Sequence, residues 1–540
     1  MNIIKVGAFI DDLDRLKNWE LRIFNELLNS RDIDFSLLIV DGRKNNKRNF
    51  NYSGRKLKFS QIIVIGLSMI QYWIEAFFFK HDSFSNRKET IEKLKSVDRV
   101  DLFPKRNGQL DYFDKKDCSL IRDYQLDIVL QHGFNRLEGE VFNVSKFGIW
   151  CFHHKDRYNN CVAGVREAIS DIPFLNITLL KMNSGINNDT IIDQCAYNKH
   201  WSMWKNKSYI YRNSSDVLLK NIRLLKRAPD LRKELQRTID NRLLIKDFLG
   251  YMIKFCFTYF KGRLGKIKSK FSKSKGARWT LMLGQGNFLD TELKKLKPIQ
   301  LPAGEFWADP FLFYHQGEKY VFFENFPYKD GLGKISCGKL SGGKVVDVVD
   351  VLTKDYHLSY PFIFHEGNEI FMIPETNEAN RLEIYRCIKF PDQWELYSTA
   401  FEGEAIVDTI YYKDTDSQSW LFVNKGDEFF CNLYIYKISS LKLEEISSHS
   451  LNPVITDSRT GRNGGAIFRH ENKFIRPSQL NIRGVYGYGL NLNVINKLNL
   501  ENYEEKHLSG IEAGFSEGVR ATHHLHQIQD QFVIDVLCDC

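Results

Sequence analysis

The pattern of apolar and polar positions changes character twice along the chain, near residue 235 and near residue 279. Before the first change, short continuous apolar runs alternate with segments of helical spacing. Ile3–Ile10 and Phe35–Val40 read as buried strands. Between them, Leu21, Phe24, Leu27 and Leu28 recur at helical intervals over Asn18–Leu28. Leu126–Gln131, Gly148–Phe152 and Leu175–Met182 continue the strand series, with a helix around Val162–Ser170. The polar and basic residues 43–58 read as a loop. Strands alternating with helices predict an α/β domain over 1–235 with a mainly parallel sheet, whose chemistry belongs beyond the carboxyl ends of its strands.

From residue 279 onward helical periodicity is absent and one unit recurs. It opens as Ala308-Asp309-Pro310-Phe311-Leu312-Phe313 and closes as Tyr320-Val321-Phe322-Phe323-Glu324. Counterparts start at Tyr360-Pro361-Phe362, Val407-Asp408-Thr409, Gly464-Gly465-Ala466 and, more weakly, Thr522. The spacing of roughly 50 residues is that of a four-stranded blade. The repeats predict an all-β five-bladed propeller over 279–540, with Trp279–Gly284 supplying the strand that closes the last blade.

The intervening stretch, 236–278, reads as an amphipathic basic linker. Phe248, Tyr251, Met252, Phe255, Tyr259 and Phe260 fall near helical spacing, and Lys254–Arg278 holds nine Lys and Arg with no acidic residue. The whole chain carries a formal net charge of +9, so this segment accounts for the excess by itself. The charge therefore points to an anionic membrane surface contacted through 248–278 and not to nucleic acid. A second apolar run, Ile62–Phe79, is interrupted by Gln71 and Glu75 and reads as a buried or amphipathic helix. Hydrophobic residues at 43% and charged residues at 26% exclude a disordered or fibrous chain. Ten cysteines without a C-x-x-C pair, and an N-terminus without signal-peptide order, predict a cytoplasmic protein, peripheral on the inner membrane if 248–278 binds lipid.

Candidate chemistry lies at two places. Gly148-Ile149-Trp150-Cys151-Phe152-His153-His154 ends a strand on two histidines, and Leu179–Asp189 is a strand followed by a polar glycine turn. From Leu126 to about Ala196 this arrangement resembles the formyltransferase family, which includes methionyl-tRNA and sugar-amine formyltransferases. The resemblance implies a Rossmann-like fold, formyl-tetrahydrofolate as donor and His153 as the group moving the amine proton. Cys151 stands where the family has Asn, and Asn187, with Asp189 two residues on, stands where it has Asp.

The propeller carries the second place. Phe306–Phe311, Phe322-Phe323-Glu324, Tyr360-Pro361-Phe362, Pro374-Glu375-Thr376 and Arg476–Gln479 resemble the propellers of family-43-type glycoside hydrolases. More closely, they resemble the N-terminal domain of glucosamine inositolphosphorylceramide transferases. The hydrolase resemblance implies that Asp309 takes the general-base position and Asp408 the pKa-tuning position. Asn463 holds the acid position, and Glu324 and Glu375 are substitutes near the same face. Arg462 and Arg476 add positive charge suited to phosphate or carboxylate. His523, His524 and His526 read as structural, and no metal is predicted.

These readings combine into an expected transferase of bacterial surface-polysaccharide (capsule or lipopolysaccharide) assembly, formylating an amino sugar while the propeller holds a glycan or nucleotide-linked sugar. Two alternatives stay open: glycosyl transfer or hydrolysis in the propeller, and a non-catalytic glycan-binding adaptor.

Overall fold

The computed structural model describes residues 3–43, 59–79, 84–108, 110–154, 163–185, 188–225, 244–268, 277–426 and 430–539. The chain divides into two units, Met1–Lys268 and Ser269–Cys540.

The first unit is built on a seven-stranded sheet. Its strands run, from one edge to the other, Thr190–Asn198, Phe174–Lys181, Ile149–Phe152, Ile128–Gln131, Ile4–Ile10, Ile33–Asp41 and Asp98–Leu102. The last five are mutually parallel, and the first two close one edge antiparallel. The apolar runs are continuous because the central strands are covered on both faces: Val6, Ala8, Phe9 and Ile10 are all buried. A three-stranded sheet, Lys105–Asn107, Leu110–Phe113 and Arg136–Gly139, stands beside it.

Among the described residues, seven α-helices complete the unit: α1 (Asn18–Asn29), α2 (Phe59–Phe78), α3 (Arg87–Lys95), α4 (Lys115–Arg122), α5 (Val165–Ile169), α6 (Met203–Leu225) and α7 (Ile245–Lys268). The last of these corrects the predicted linker. Phe248, Tyr251 and Phe255 of α7 are buried in one cluster with Val64 of α2, Val165 and Ile169 of α5, and Met203 of α6. Phe248, Tyr251 and Phe255 thus form the packing face of a helix of the first unit. Residues 43–58 lie outside the described residues, apart from Arg43.

Among the described residues, the second unit consists of five antiparallel sheets in chain order. Blades one to four span Glu305–Leu352, Ser359–Ala400, Ile406–Ser448 and Phe468–Glu512. The fifth combines Val519–Ala521, Leu525–Ile528 and Gln531–Cys538 with Arg278–Gln285. Arg278–Gln285 pairs antiparallel with Gln531–Cys538, so the first strand of the unit and the last are hydrogen-bonded in one blade. Closure of this kind leaves no open end to the ring of sheets.

One feature of the blades positions the site. The innermost strand of each of the first three blades breaks register at the same place, between Ala308 and Phe311, Ser359 and Phe362, and Val407 and Ile410. The first residue within each break, Asp309, Tyr360 or Asp408, has a positive φ of 49°, 47° or 44°. A non-glycine residue pays a conformational penalty there, and such bulges re-aim a side chain. The fourth blade has glycine at this point: Gly465 has φ of 131°, and a Cβ on it would lie 1.7 Å from the Leu525 carbonyl oxygen. The chain thus approaches itself too closely there for any side chain.

Candidate functional site

The three re-aimed side chains converge electrostatically with groups from the second, fourth and fifth blades. Arg462 is the centre. Its Nε donates to Asp408 Oδ2 at 2.6 Å, and its Nη2 lies 3.7 Å from Glu375 Oε2. Gln479 Nε2 also donates to Asp408 Oδ2, at 3.0 Å. Burial, followed by the neighbouring Asp408 charge, pushes the Glu375 carboxyl well above its usual range. Asp408 is raised as well, by burial, although Arg462 opposes the shift. Asp408 has the direct ion pair, so Glu375 is the member whose protonated form is favoured.

On the other side of the site, His523 lies between two carboxylates. Its Nε2 is 3.2 Å from Asp309 Oδ1 and its Nδ1 is 2.8 Å from Asp535 Oδ2. Burial alone would neutralise this imidazole. The two carboxylates win, and its pKa is raised well above the ordinary histidine value. Asp535 is held in turn by the backbone amides of His523 and His524, both donating at 3.0 Å. His524, fully buried beside the charged His523, is driven the other way and stays neutral. Asp309, His523 and Asp535 each bring one ligand atom within 4.8 Å of the others, a spacing that a cation accepts. With His523 protonated, the imidazolium itself supplies positive charge between the carboxylates.

Aromatic rings border the pair of cations. The Arg462 guanidinium lies 5.1 Å from the Phe430 ring and 5.0 Å from the Tyr486 ring. Trp279 and Tyr486 lie 4.3 Å and 5.1 Å from the His523 ring. Such faces stabilise cations and also stack on the apolar faces of sugar rings. Tyr360 accepts a hydrogen bond from the Gly465 amide at 3.1 Å and senses both Asp309 and Asp408.

Of the propeller residues predicted from sequence, Asp309, Asp408, Glu375 and Arg462 meet here. Glu324 stands next to them: it pairs with His357 at 3.3 Å, and burial raises its carboxyl pKa. Arg476 does not join the site. It is wholly buried and forms a two-pronged pair with Glu505, at 2.9 and 2.8 Å. Its Nη1 donates to Asn463 Oδ1 at 3.1 Å. Asn463 is a strut, its amide donating to the Asp408 and Phe422 carbonyls at 2.8 and 3.0 Å. Sequence reasoning gave Asp535 and Tyr486 no role, read His523 as structural, and had Gln479 only within the Arg476–Gln479 segment. The signal for His523 was its place beside Thr522, at the start of the fifth repeat.

In the first unit, His153 follows the strand Ile149–Phe152, and its amide donates to the Thr178 carbonyl at 2.9 Å. Cys151 is half-buried on that strand. Asn187 lies outside the described residues. Asp189 is committed elsewhere: both of its oxygens accept from Arg136, at 2.8 and 3.1 Å, and Oδ1 also accepts from the Asn183 amide. A carboxylate held in this way orients a turn and does not fit the part of a base partner for His153. His154 stacks on Phe152, packs against Trp19 and bonds Ser214 at 2.8 Å. Burial lowers its pKa to about 3.

Comparison with known proteins gives the same emphasis. Residues 296–529 match the family described as glucosamine inositolphosphorylceramide transferase 1, N-terminal. The protein of that name from rice (Oryza sativa subsp. japonica) is 34% identical over 208 residues, 37% of this chain and 27% of that protein. The Arabidopsis thaliana protein is 30% identical over 213 residues, 38% of this chain and 27% of that protein. The chain thus spans about a quarter of the length of these relatives. Among solved structures, an exo-beta-1,3-galactanase from Phanerochaete chrysosporium aligns at 10% identity, covering 48% of this chain and 64% of that one, with a TM-score of 0.33. The GH62 alpha-L-arabinofuranosidase catalytic domain from Coprinopsis cinerea aligns at 14% identity, covering 47% of this chain and 84% of that one, also with a TM-score of 0.33. The expected formyl transfer in bacterial surface-polysaccharide assembly is overturned: the named relatives are plant glucosamine inositolphosphorylceramide transferases. The propeller is similar to the N-terminal part of those transferases.

Proposed function

We propose that the propeller is a saccharide site that performs acid–base chemistry at a glycosidic oxygen, within the sugar-transfer class that its relatives' names describe. One observation carries the reading. Two carboxyl groups of one buried cluster have opposite surroundings, Glu375 pushed up by burial and Asp408, Asp309 set against the charged His523. Glycosyl chemistry needs that asymmetry, with one group giving a proton to the leaving oxygen and another taking one from the acceptor. In this reading Glu375 is the acid, Asp309 the base, and Asp408 with Arg462 sets the Glu375 proton in place. Phe430, Tyr486 and Trp279 offer the stacking faces.

The test uses the full chain, a panel of aryl glycosides and nucleotide-linked sugars, calorimetry for binding and chromatography for sugar release. Binding that Asp309→Asn retains, with turnover that it loses by about 10²-fold or more, supports the reading. Absence of binding across the panel, or turnover indifferent to both Asp309→Asn and Glu375→Gln, overturns it.

A further inference from the structure

Helix α2 is built inside out. Its inward stripe is Val64, Ser68, Gln71, Tyr72, Glu75 and Ala76, mostly polar and all buried. Glu75, the only acidic residue of the helix, is fully buried. It accepts from Ser202 Oγ at 2.6 Å, the Trp204 amide at 3.0 Å and Gln71 Nε2 at 3.2 Å, and also from the Tyr251 hydroxyl of α7. The residues that interrupt the apolar run in the sequence therefore point into the protein.

The outward side is apolar. Trp73 is 69% exposed and Phe77 86%, with Ile62 and Ile70 along the same helix. On α7, Ile253 is 73% exposed and Phe257 66%. The two helices pack together: Phe78 meets Tyr259 with ring centroids 5.4 Å apart, and Val64 shares a cluster with Tyr251 and Phe255. A water-facing helix normally presents its polar stripe to solvent. A large aromatic patch exposed in this way marks a surface that something covers.

The charges identify the partner. Lys205 is exposed and stands over the Phe79 and Trp201 rings at 5.1 and 5.6 Å. Lys246 and Lys254 are exposed on α7, and the sequence from Lys254 to Arg278 adds basic residues without one acid. Among the described residues, no helix is long and apolar enough to cross a membrane. Apolar rings beside lysines are the composition of an element lying in the lipid interface. The geometry points to the outward face of α2 and α7 as a docking surface for an anionic lipid bilayer, with Trp73, Phe77, Ile253 and Phe257 entering the acyl boundary and the lysines meeting the headgroups.

Vesicle flotation of the full chain tests this, using equal parts phosphatidylcholine and phosphatidylglycerol against phosphatidylcholine alone. The expected result is flotation with the anionic vesicles, weaker on the neutral ones, and reduced about tenfold or more in Trp73→Glu/Phe77→Glu. Both side chains are exposed, so circular dichroism of the double variant should match the parent. Brominated lipid should quench the parent's tryptophan fluorescence more than that of Trp73→Phe. Failure to float on anionic vesicles overturns the proposal, as does flotation unchanged in the double variant. A dimer without lipid affinity that Phe77→Glu dissociates overturns it in favour of a second copy of the chain.

Discussion

Arg462 and Asp408 form an ion pair of 2.6 Å in which both side chains are almost sealed from solvent. The pair ties the innermost strand of the third blade to the segment that leads into the fourth. A buried pair of this kind adds little net stability when complete and costs much when halved. Arg462→Met should therefore destabilise the second unit by about 3–5 kcal/mol, read from its denaturant transition. It should also remove the charge that opposes protonation of Asp408.

Asp189 provides a comparable test in the first unit. If it holds the 183–189 turn through Arg136, Asp189→Ala leaves a buried guanidinium uncompensated and costs about 3 kcal/mol or more. Asp189→Asn should lose less, since it keeps one oxygen to accept from Arg136. Thermal unfolding of both variants checks the order. Equal stability of all three proteins would remove the structural role.

Glu75 serves as a buried acceptor for hydroxyl and amide donors. Glu75→Leu orphans the Ser202 and Tyr251 hydroxyls and the Trp204 amide, at about 1–3 kcal/mol for each group left unsatisfied. Glu75→Gln should be milder, and hydrogen exchange across α2 and α7 should rise more in Glu75→Leu than in Glu75→Gln.

The buried histidines set opposite pH limbs. His154 is held near pKa 3, below its unfolded value of about 6.5, so the unfolded chain binds more protons between those limits. Stability contributed by His154 is present above about pH 6.5 and is lost as pH falls toward 3. His523 is raised, so its contribution is present below about pH 6.5 and is lost as pH rises through the folded value. His154→Phe should flatten the acid limb and His523→Gln the alkaline limb in urea titrations run across pH.

Much of the fold was legible because it is periodic. The aromatic hairpins after Asp309, Tyr360 and Asp408 announce blades, and the apolar runs around Val6 and Leu38 announce a sheet covered on both faces. What was not legible is direction. Arg462 and Arg476 look alike in sequence, yet one joins Asp408 and the other is absorbed by Glu505. Glu75 looks like a break in an apolar helix until Tyr251 and Ser202, far along the chain, are seen to donate to it, joined by Gln71 one turn earlier. His523 is equally mute until Asp309 and Asp535 flank it. In each case a long-range partner fixes the role, and spacing along the chain does not carry that partner.

The saccharide site is tested most directly by turnover of Glu375→Gln on two glycosides of one sugar, one with a poor leaving group and one with a good one. If Glu375 supplies the proton, the poor leaving group should suffer by about 10²–10⁴-fold while the activated one is largely spared. Equal losses on both substrates, or no loss on either, would contradict an acid at Glu375 and the sugar chemistry built on it.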